Sequence, residues 1–360
     1  MNKKYILLFV FFSGFIHAQI VRKYSNEFLN IGAGARGLAM GGAVISNQDD
    51  VYAPMWNPAG LLGIEKDWQG AAMHAEYFES IAKYDYIAYA KPLDSKNGVF
   101  AVSIVRLGVD NILNTTRMID SEGNIDYDKI TKFSQADYAA LFSFAFHPNQ
   151  NRKLSVGANA KFVYRNVGKF ANAYGFGFDL GAIYHADNGW KYGAILRDAT
   201  TTINFWTINQ KELSTIVNGE EFNPAPKDRL ELTLPKLNAG VSRNFVLSRD
   251  LELLPEAGVN VDFTKTAALL STDWVSLTPY VGAELSFQKM IFVRAGINRF
   301  QTITDIESQK RQISFQPSVG IGVKYKGLML DYAISNSGIN GSDFYSNFFS
   351  LKLDMGGFRN

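Results

Sequence analysis

Two neighbouring stretches of the chain, 154–165 and 174–185, alternate strictly between apolar and small or polar residues. In the second stretch Tyr174, Phe176 and Phe178 share one face, and glycine or aspartate holds the positions between them. Because successive side chains of a pleated backbone point to opposite faces, this period of two predicts β-strands. Each stretch is about twice as long as the usual strand of a soluble sheet. The pair therefore favours a fold built from long strands with one apolar and one polar face.

The length of the apolar face matches the thickness of a membrane. Tyr174 and Tyr184 lie on this face ten residues apart, which is about 25 Å along a barrel axis for strands tilted near 40°. The lipid-facing band of an outer-membrane barrel has this height and carries aromatic residues at both borders. A charge facing lipid at the midplane costs about 2–4 kcal/mol, so Lys161 and Asp179 are predicted to face a watery lumen. A soluble sandwich with the phenylalanines packed inside would show the same alternation.

From Trp68 onward, fourteen segments of the chain are candidates for strands. They are 68–78, 81–91, 98–107, 135–146, 153–165, 172–185, 190–198, 231–244, 251–263, 276–286, 289–299, 313–325, 327–335 and 344–355. Charged residues recur on the face that carries the glycines, which predicts a polar lumen in which carboxylates pair with basic side chains. The lumen residues predicted on this ground are Lys161, Asp179, Glu284, Arg294, Lys324 and Asp331.

The connections between these segments alternate in length. Every second one is short, as at 326–327, whereas the intervening ones include the long segments 108–134 and 199–230. Outer-membrane barrels sort their connections in this way, with short inner turns and longer outer loops, and a soluble sandwich has no reason to do so. The prediction is therefore an all-β membrane protein, a 14-stranded antiparallel transmembrane β-barrel over residues 68–360.

The amino-terminal segment and the composition of the chain are those expected of an exported protein. Residues 1–18 are predicted to be a signal peptide, with Lys3 and Lys4 before an apolar run and a cleavage site after Ala18. No other segment approaches the length of a membrane-spanning helix. Without the signal the chain has 34 basic and 34 acidic residues, a balance that does not indicate nucleic-acid binding. The chain has no cysteine, and we expect it to reside in the cell outer membrane.

Between the signal and the first strand lies a small-residue-rich stretch without alternation, predicted to form compact loops and short helices. Gly32, Gly34 and Gly37 match the dinucleotide-binding fingerprint by letter, but no βαβ unit surrounds them, so close packing is the preferred interpretation. Asp49 and Asp50 could contact calcium, although adjacent carboxylates are usually a solvated loop. The three mature histidines are scattered and no catalytic motif is present. We expect neither catalysis, nor a metal, nor a cofactor.

The same stretch resembles the PorV/PorQ family, a branch of the FadL-type outer-membrane barrels, over roughly residues 27–63. The matching segments are Phe28 to Ala43, the pair Asp49–Asp50, and Trp56 to Leu61. The resemblance implies a barrel of fourteen strands whose segment 19–67 fills the lumen as a hatch, in a Bacteroidetes-type outer membrane. The hatch residues it implies are Gly32, Gly34, Arg36, Gly37, Met40, Gly41, Gly42, Asp49, Asp50, Trp56, Asn57, Pro58, Ala59 and Gly60.

The resemblance also carries an expectation about function. Family members work in type IX secretion, where they plug or gate the translocon and collect secreted cargo. We therefore expect a non-enzymatic barrel subunit of an outer-membrane protein complex, whose partners are other outer-membrane proteins, the lipid bilayer and secreted cargo. An alternative for the complex to which this subunit belongs is the one that inserts outer-membrane proteins. The alternatives are a FadL-like channel, which carries hydrophobic molecules past an element like Asn57-Pro58-Ala59, and a surface adhesin.

Overall fold

The computed structural model describes residues 26–65, 67–93, 98–148, 152–217, 219–224, 226, 229–304, 311–336 and 344–358. The predicted signal peptide at 1–18 lies outside the described residues. In the described part of the chain, no helix is both long enough and apolar enough to cross a bilayer.

Fourteen antiparallel strands form the wall of a closed barrel. The strands are β1 Gln69–Tyr77, β2 Ala82–Pro92, β3 Val99–Asn114, β4 Thr131–Phe146, β5 Leu154–Val167, β6 Ala171–His185, β7 Trp190–Arg197 with Thr202–Ile208, β8 Leu230–Thr233 with Lys236–Arg243, β9 Leu251–Asp262, β10 Ser276–Phe287, β11 Ile291–Thr304, β12 Arg311–Tyr325, β13 Leu328–Asn336 and β14 Tyr345–Asp354. Each strand pairs with its neighbours in the chain, and β1 pairs with β14 to close the barrel. The predicted fold class is confirmed.

Every predicted strand has a counterpart, but several predicted boundaries near the outer loops are wrong, among them the outer ends of β3, β4, β7 and β11. The strand predicted at 190–198 resumes after a four-residue interruption and continues to Ile208, so the long outer loop that follows is shorter than predicted. Similarly, β3 continues to Asn114 beyond a shift of register between Val109 and Ile112. In both places an irregularity resets the alternation, and a pattern of period two cannot follow a strand across such a reset.

The two faces of the wall are those that the alternation predicts. Phe176 on β6 is 52% exposed on the outside of the barrel, whereas its neighbour Asp179 is 1% exposed on the inside. Lys161 on β5 is likewise buried in the interior. An aromatic border toward the outer loops crosses β4, β5 and β6. It is formed by Tyr138, Tyr164 and Tyr174, of which Tyr164 is the Cα partner of the other two.

Residues 26–64 lie inside the barrel, and we call this described segment the hatch. It contains α1 Ala35–Ala39, α2 Ala53–Trp56, and 3₁₀ turns at Glu27–Asn30 and Pro58–Gly63. Three further short helical segments lie outside the hatch: a 3₁₀ turn Tyr127–Lys129, α3 Gln210–Leu213 and α4 Met355–Phe358.

The hatch packs against the wall at positions where the wall has no side chain. The backbone of Pro58 and Ala59 lies against Gly157 of β5, where an added Cβ would come within 2.5 Å. The backbone at Met40 lies in the same way against Gly296 of β11. Glycine allows this close approach because it has no Cβ. The glycines of the inner face therefore determine where the hatch lies.

Candidate functional site

The hatch and the polar groups that hold it in the lumen form the candidate functional site. Asn57 is fully buried and begins the 3₁₀ turn Pro58–Gly63, where its Oδ1 accepts a hydrogen bond from the Ala59 backbone. Its Nδ2 lies 3.0 Å from the carbonyl oxygen of Ile45 and 3.1 Å from that of Ala182 on β6. Asn57 therefore both begins this turn and ties the hatch to the wall.

A chain of alternating charges connects α1 to three wall strands. Arg36 Nε donates to Glu284 Oε2 of β10 over 2.9 Å, and Arg294 Nε of β11 donates to the same oxygen over 2.5 Å. Arg294 Nη1 continues the chain to Asp331 Oδ1 of β13 at 2.7 Å. Burial alone would lower the pKa of Arg36, but the carboxylates of Glu284, Asp49 and Asp50 together outweigh it, so the pKa is raised. Arg36 therefore stays charged and holds the hatch to the wall.

On the other side of the hatch, Asp50 forms an ion pair with the wall. Lys352 Nζ of β14 donates to Asp50 Oδ2 over 2.5 Å, and the other carboxylate oxygen accepts from the Tyr52 backbone at 2.9 Å. Burial alone would raise the pKa of Asp50, yet Lys352 and these hydrogen bonds outweigh it and lower the pKa. The adjacent Asp49 is exposed. In the described residues no group of three metal-ligating side chains is assembled.

Two glycines of the fingerprint-like motif, Gly32 and Gly37, lie against the ring of Trp56, and the third, Gly34, lies against Tyr52. Trp56 donates from Nε1 to the carbonyl oxygen of Ala33 over 2.7 Å, and its ring lies against Gly37, where a Cβ would approach to 2.7 Å. Gly41 has a φ of 63° and lies beside the backbone of Ile297 on β11, with an added Cβ 3.0 Å from its nitrogen. The motif thus provides close packing around Trp56.

A second buried cluster lies at the interruption of β7. Lys161 Nζ contacts Asp179 Oδ1 at 2.7 Å and Asp198 Oδ1 at 2.5 Å. The Asp198 backbone donates to Asp179 Oδ1 over 2.8 Å, and Arg197 Nη2 donates to the carbonyl oxygen of Met55 in the hatch over 2.6 Å. The interruption is therefore joined to both the wall and the hatch.

The predicted lumen residues fall into two clusters and one outlier. Glu284, Arg294 and Asp331 meet at Arg36, and Lys161 and Asp179 meet at the β7 interruption. Lys324 is exposed on β12, two residues from the Lys326 turn at its inner end, and belongs to neither cluster.

Sequence reasoning missed Asp198 and did not find the partners of the lumen carboxylate Glu256. Asp198 closes the β7 interruption, and its only local signal is the loss of alternation after it. Glu256 of β9 accepts hydrogen bonds from the Ser46 hydroxyl at 2.5 Å and from Asn47 Nδ2 at 2.8 Å. No local pattern distinguishes Glu256 from other lumen carboxylates, because its partners are about 210 residues away in the chain.

Two cavities lie on either side of the hatch. The outer one, of about 400 Å³, is lined by Ile31 and Trp56 of the hatch and mainly by polar wall residues such as Asn238, Asn260 and Gln316. The inner one, of about 880 Å³, faces the short turns and is lined by Gly60 and further hatch residues on one side. The outer cavity therefore presents mainly amides and charges, whereas a smaller cavity of about 290 Å³ at the outer ends of β6 and β7 is lined by apolar side chains such as Phe170, Trp206 and Leu213.

Known structures with the same fold are outer-membrane barrels. The toluene transporter TodX of P. putida aligns with 90% of this chain and 99% of its own, at a TM-score of 0.57 and 14% identity. The toluene transporter TbuX of Ralstonia pickettii covers 90% and 98% at 0.55 and 15%, and the CymD monoaromatic hydrocarbon channel covers 89% and 97% at 0.55 and 12%. No protein-family model matches the chain, and neither does any curated protein. The closed barrel with its apolar outer band points to the outer membrane, as predicted.

Proposed function

We propose that this chain is a non-enzymatic subunit of an outer-membrane protein complex, with a barrel that the hatch keeps plugged. We connect the complex with type IX secretion in a Bacteroidetes-type membrane, as the resemblance of the hatch segment to the PorV/PorQ family implies. The observation that carries the proposal is the combination of a hatch bound by buried charges and a polar outer cavity. A hydrophobic solute would meet mainly amides and charges in the outer cavity.

The energetics of the hatch support a plug rather than a gate that opens spontaneously. Releasing it would break the pairs Arg36–Glu284 and Asp50–Lys352, whose members are at most 20% exposed. Release would also expose fully buried apolar hatch side chains, such as Met40 and Leu61, to water, at a cost of about 1.5–3 kcal/mol each.

The outer loops offer a surface for a protein partner. We call residues 115–130, 209–217 and 219–224 the outer cap, because the two loops to which they belong contact each other. Thr215 Oγ1 donates to the Thr116 carbonyl over 2.5 Å, and Arg117 pairs with Glu212 at 3.2 Å. Apolar side chains remain exposed on the cap, which is typical of interaction surfaces. They are Ile119, Ile125, Tyr127, Ile216 and Phe222.

Affinity purification of the intact chain from native outer membranes tests the proposal. We expect a second, larger barrel in stoichiometric amount, and we expect Tyr127→Ser combined with Ile216→Ser to reduce its recovery at least tenfold. Trp274→Ser is the matched control, because Trp274 is an equally exposed aromatic residue in a different outer loop. Recovery of a pure, partner-free chain would contradict the proposal.

The second candidate is a channel for hydrophobic small molecules. It is favoured by the shared fold with proteins described as toluene transporters and as a monoaromatic hydrocarbon channel. Uptake of toluene by vesicles that contain the purified chain separates the candidates. A plugged subunit gives the rate of empty vesicles, whereas a channel gives an uptake that increases with the amount of protein.

A further inference from the structure

One part of the outer wall carries charges where the wall should face lipid. His74 of β1, Asp85 of β2 and Arg106 of β3 point outward, with side chains 47%, 42% and 32% exposed. His74 Nδ1 lies 2.7 Å from Asp85 Oδ1, and Arg106 Nη1 lies 3.2 Å from Asp85 Oδ2. We call these three residues the wall patch.

The wall patch lies in the outer part of the lipid-facing band, next to the aromatic border, because Arg106 is the Cα partner of Tyr138. Asp85 is seven residues from the inner end of β2 at Pro92, and Arg106 is seven residues from the inner end of β3 at Val99. Both are therefore about 18 Å above the inner strand ends, in a band about 25 Å tall. On the described parts of β5, β6, β10 and β12 the outward side chains at this depth are apolar, as Phe178 is, seven residues from the inner end of β6. Charged side chains within a membrane mark functional contacts.

Lipid does not account for the patch. Acyl chains cannot solvate a carboxylate or a guanidinium, and lipid phosphates would be attracted by Arg106 but repelled by Asp85. The patch extends outward through Glu76, Lys83 and Asp110, where Lys83 lies 3.6 Å from Asp110. Because both signs alternate along this surface, its complement is a surface that also carries both signs.

A second copy of the chain provides such a surface. Two copies inserted in the same direction are related by a two-fold axis along the membrane normal, so groups that meet must lie at equal depth. Asp85 and Arg106 are Cα partners on adjacent strands and lie at equal depth. An axis between β2 and β3 would place Asp85 of each copy against Arg106 of the other, in a ring of four alternating charges. The next lipid-facing pair toward the inner strand ends, Ile87 and Ile104, is also exposed and supplies an apolar contact.

We propose that the chain forms a homodimer in the membrane through the outer wall of β2 and β3, with the ring of Asp85 and Arg106 at its centre. This pairing goes beyond the proposed function, since it requires no other protein and holds for a plug or a channel alike. It rests on the positions of the charges in the band and on their self-complementarity.

Crosslinking of single-cysteine variants of the full chain in native membranes tests the dimer, because the chain has no cysteine of its own. We expect Ile87→Cys to give a dimer with a short bismaleimide. Val281→Cys, an exposed residue on β10 across the barrel, serves as the matched control and should give at least tenfold less. Equal yields from the two positions, or a product that contains a different protein, would overturn the proposal.

Charge reversal tests whether the charges of Asp85 and Arg106 themselves hold the two copies together. In the Ile87→Cys background, Asp85→Arg alone and Arg106→Asp alone each place like charges around the ring, and we expect at least a tenfold loss of the dimer. Co-expression of the two reversed chains restores opposite charges across the axis and should restore the crosslink between them. Heat-modifiability gels report whether each barrel folds, and Asp85→Asn with Arg106→Gln replaces any variant that does not. A crosslink unchanged by reversal, or no rescue between folded chains, would refute the ring.

Discussion

The pair Asp50–Lys352 gives the sharpest test of how the hatch is held. Asp50→Asn leaves the Lys352 ammonium, which is 20% exposed, without its carboxylate partner at 2.5 Å. Removal of one member of a buried pair typically costs about 3–5 kcal/mol, so the hatch should be destabilised by about this amount. Lys352→Gln should cost a similar amount for the same reason. The double variant should lose less than the sum, by about 2–4 kcal/mol, because neither charge then remains unpaired.

Hydrogen exchange of the hatch amides in detergent measures this effect, because exchange from a locally released segment reports its own opening free energy. We expect faster exchange at 26–64 in the single variants and unchanged exchange in the wall strands of the opposite side. Lys289→Gln is the control, since its partner Glu252 lies in an exposed pair at an inner turn. Changes below about 1 kcal/mol in both single variants, or additive effects in the double variant, would refute the assigned role.

The same pair predicts a dependence on pH. Because the folded structure lowers the pKa of Asp50 below its ordinary value of 3.8, its contribution to stability is fully present above that value. It is lost as the pH falls below 3.8 and through the lowered folded pKa. The Asp50→Asn variant should lack this part of the acid destabilisation of the hatch, and an unchanged acid profile would count against it.

Three further changes test other parts of the structure. Phe178→Lys places a charge on the lipid face near mid-depth, at a cost of about 2–4 kcal/mol, whereas Tyr184→Lys at the inner border should cost about 0–1 kcal/mol. Heat-modifiability gels should therefore show less folded barrel for Phe178→Lys than for Tyr184→Lys. Equal effects would mean that the assigned depths are wrong. Gly296→Val should prevent docking of the hatch at Met40, seen as protease cleavage within 26–64 while the barrel stays folded, and full protection would exclude this contact. Trp56→Phe removes the 2.7 Å hydrogen bond to Ala33 and should weaken hatch protection by about 1 kcal/mol.

The barrel could be predicted from the sequence because the membrane imposes a local rule. A strand between lipid and a polar interior must alternate, and the alternation around Tyr174 can be read without knowledge of any distant residue. The rule fails at the β7 interruption, where Asp198 turns inward and the alternation restarts at Thr202. The alternation before such an interruption therefore does not predict which residues face inward after it.

The sequence predicted which residues belong to the hatch but not which wall residues they contact. A resemblance indicated that Arg36 and Asp50 belong to a plug, but their partners Glu284 and Lys352 are 248 and 302 residues away in the chain. Several carboxylates and lysines share the inner face, and nothing in their local sequence selects one of them. Which pair forms depends on the closed cylinder, because strands distant in the chain become neighbours only when β1 meets β14.

The glycines on the inner wall have a consequence for biogenesis. Where Gly157 and Gly296 meet the hatch backbone, the barrel itself supplies no side chains to fill its centre. A cylinder that closed without its plug would be a wide water-filled hole, through which ions and small metabolites would leak. The membrane therefore stays sealed only if the hatch is already inside the barrel when the last strands join. The order of assembly is then as important as the final contacts.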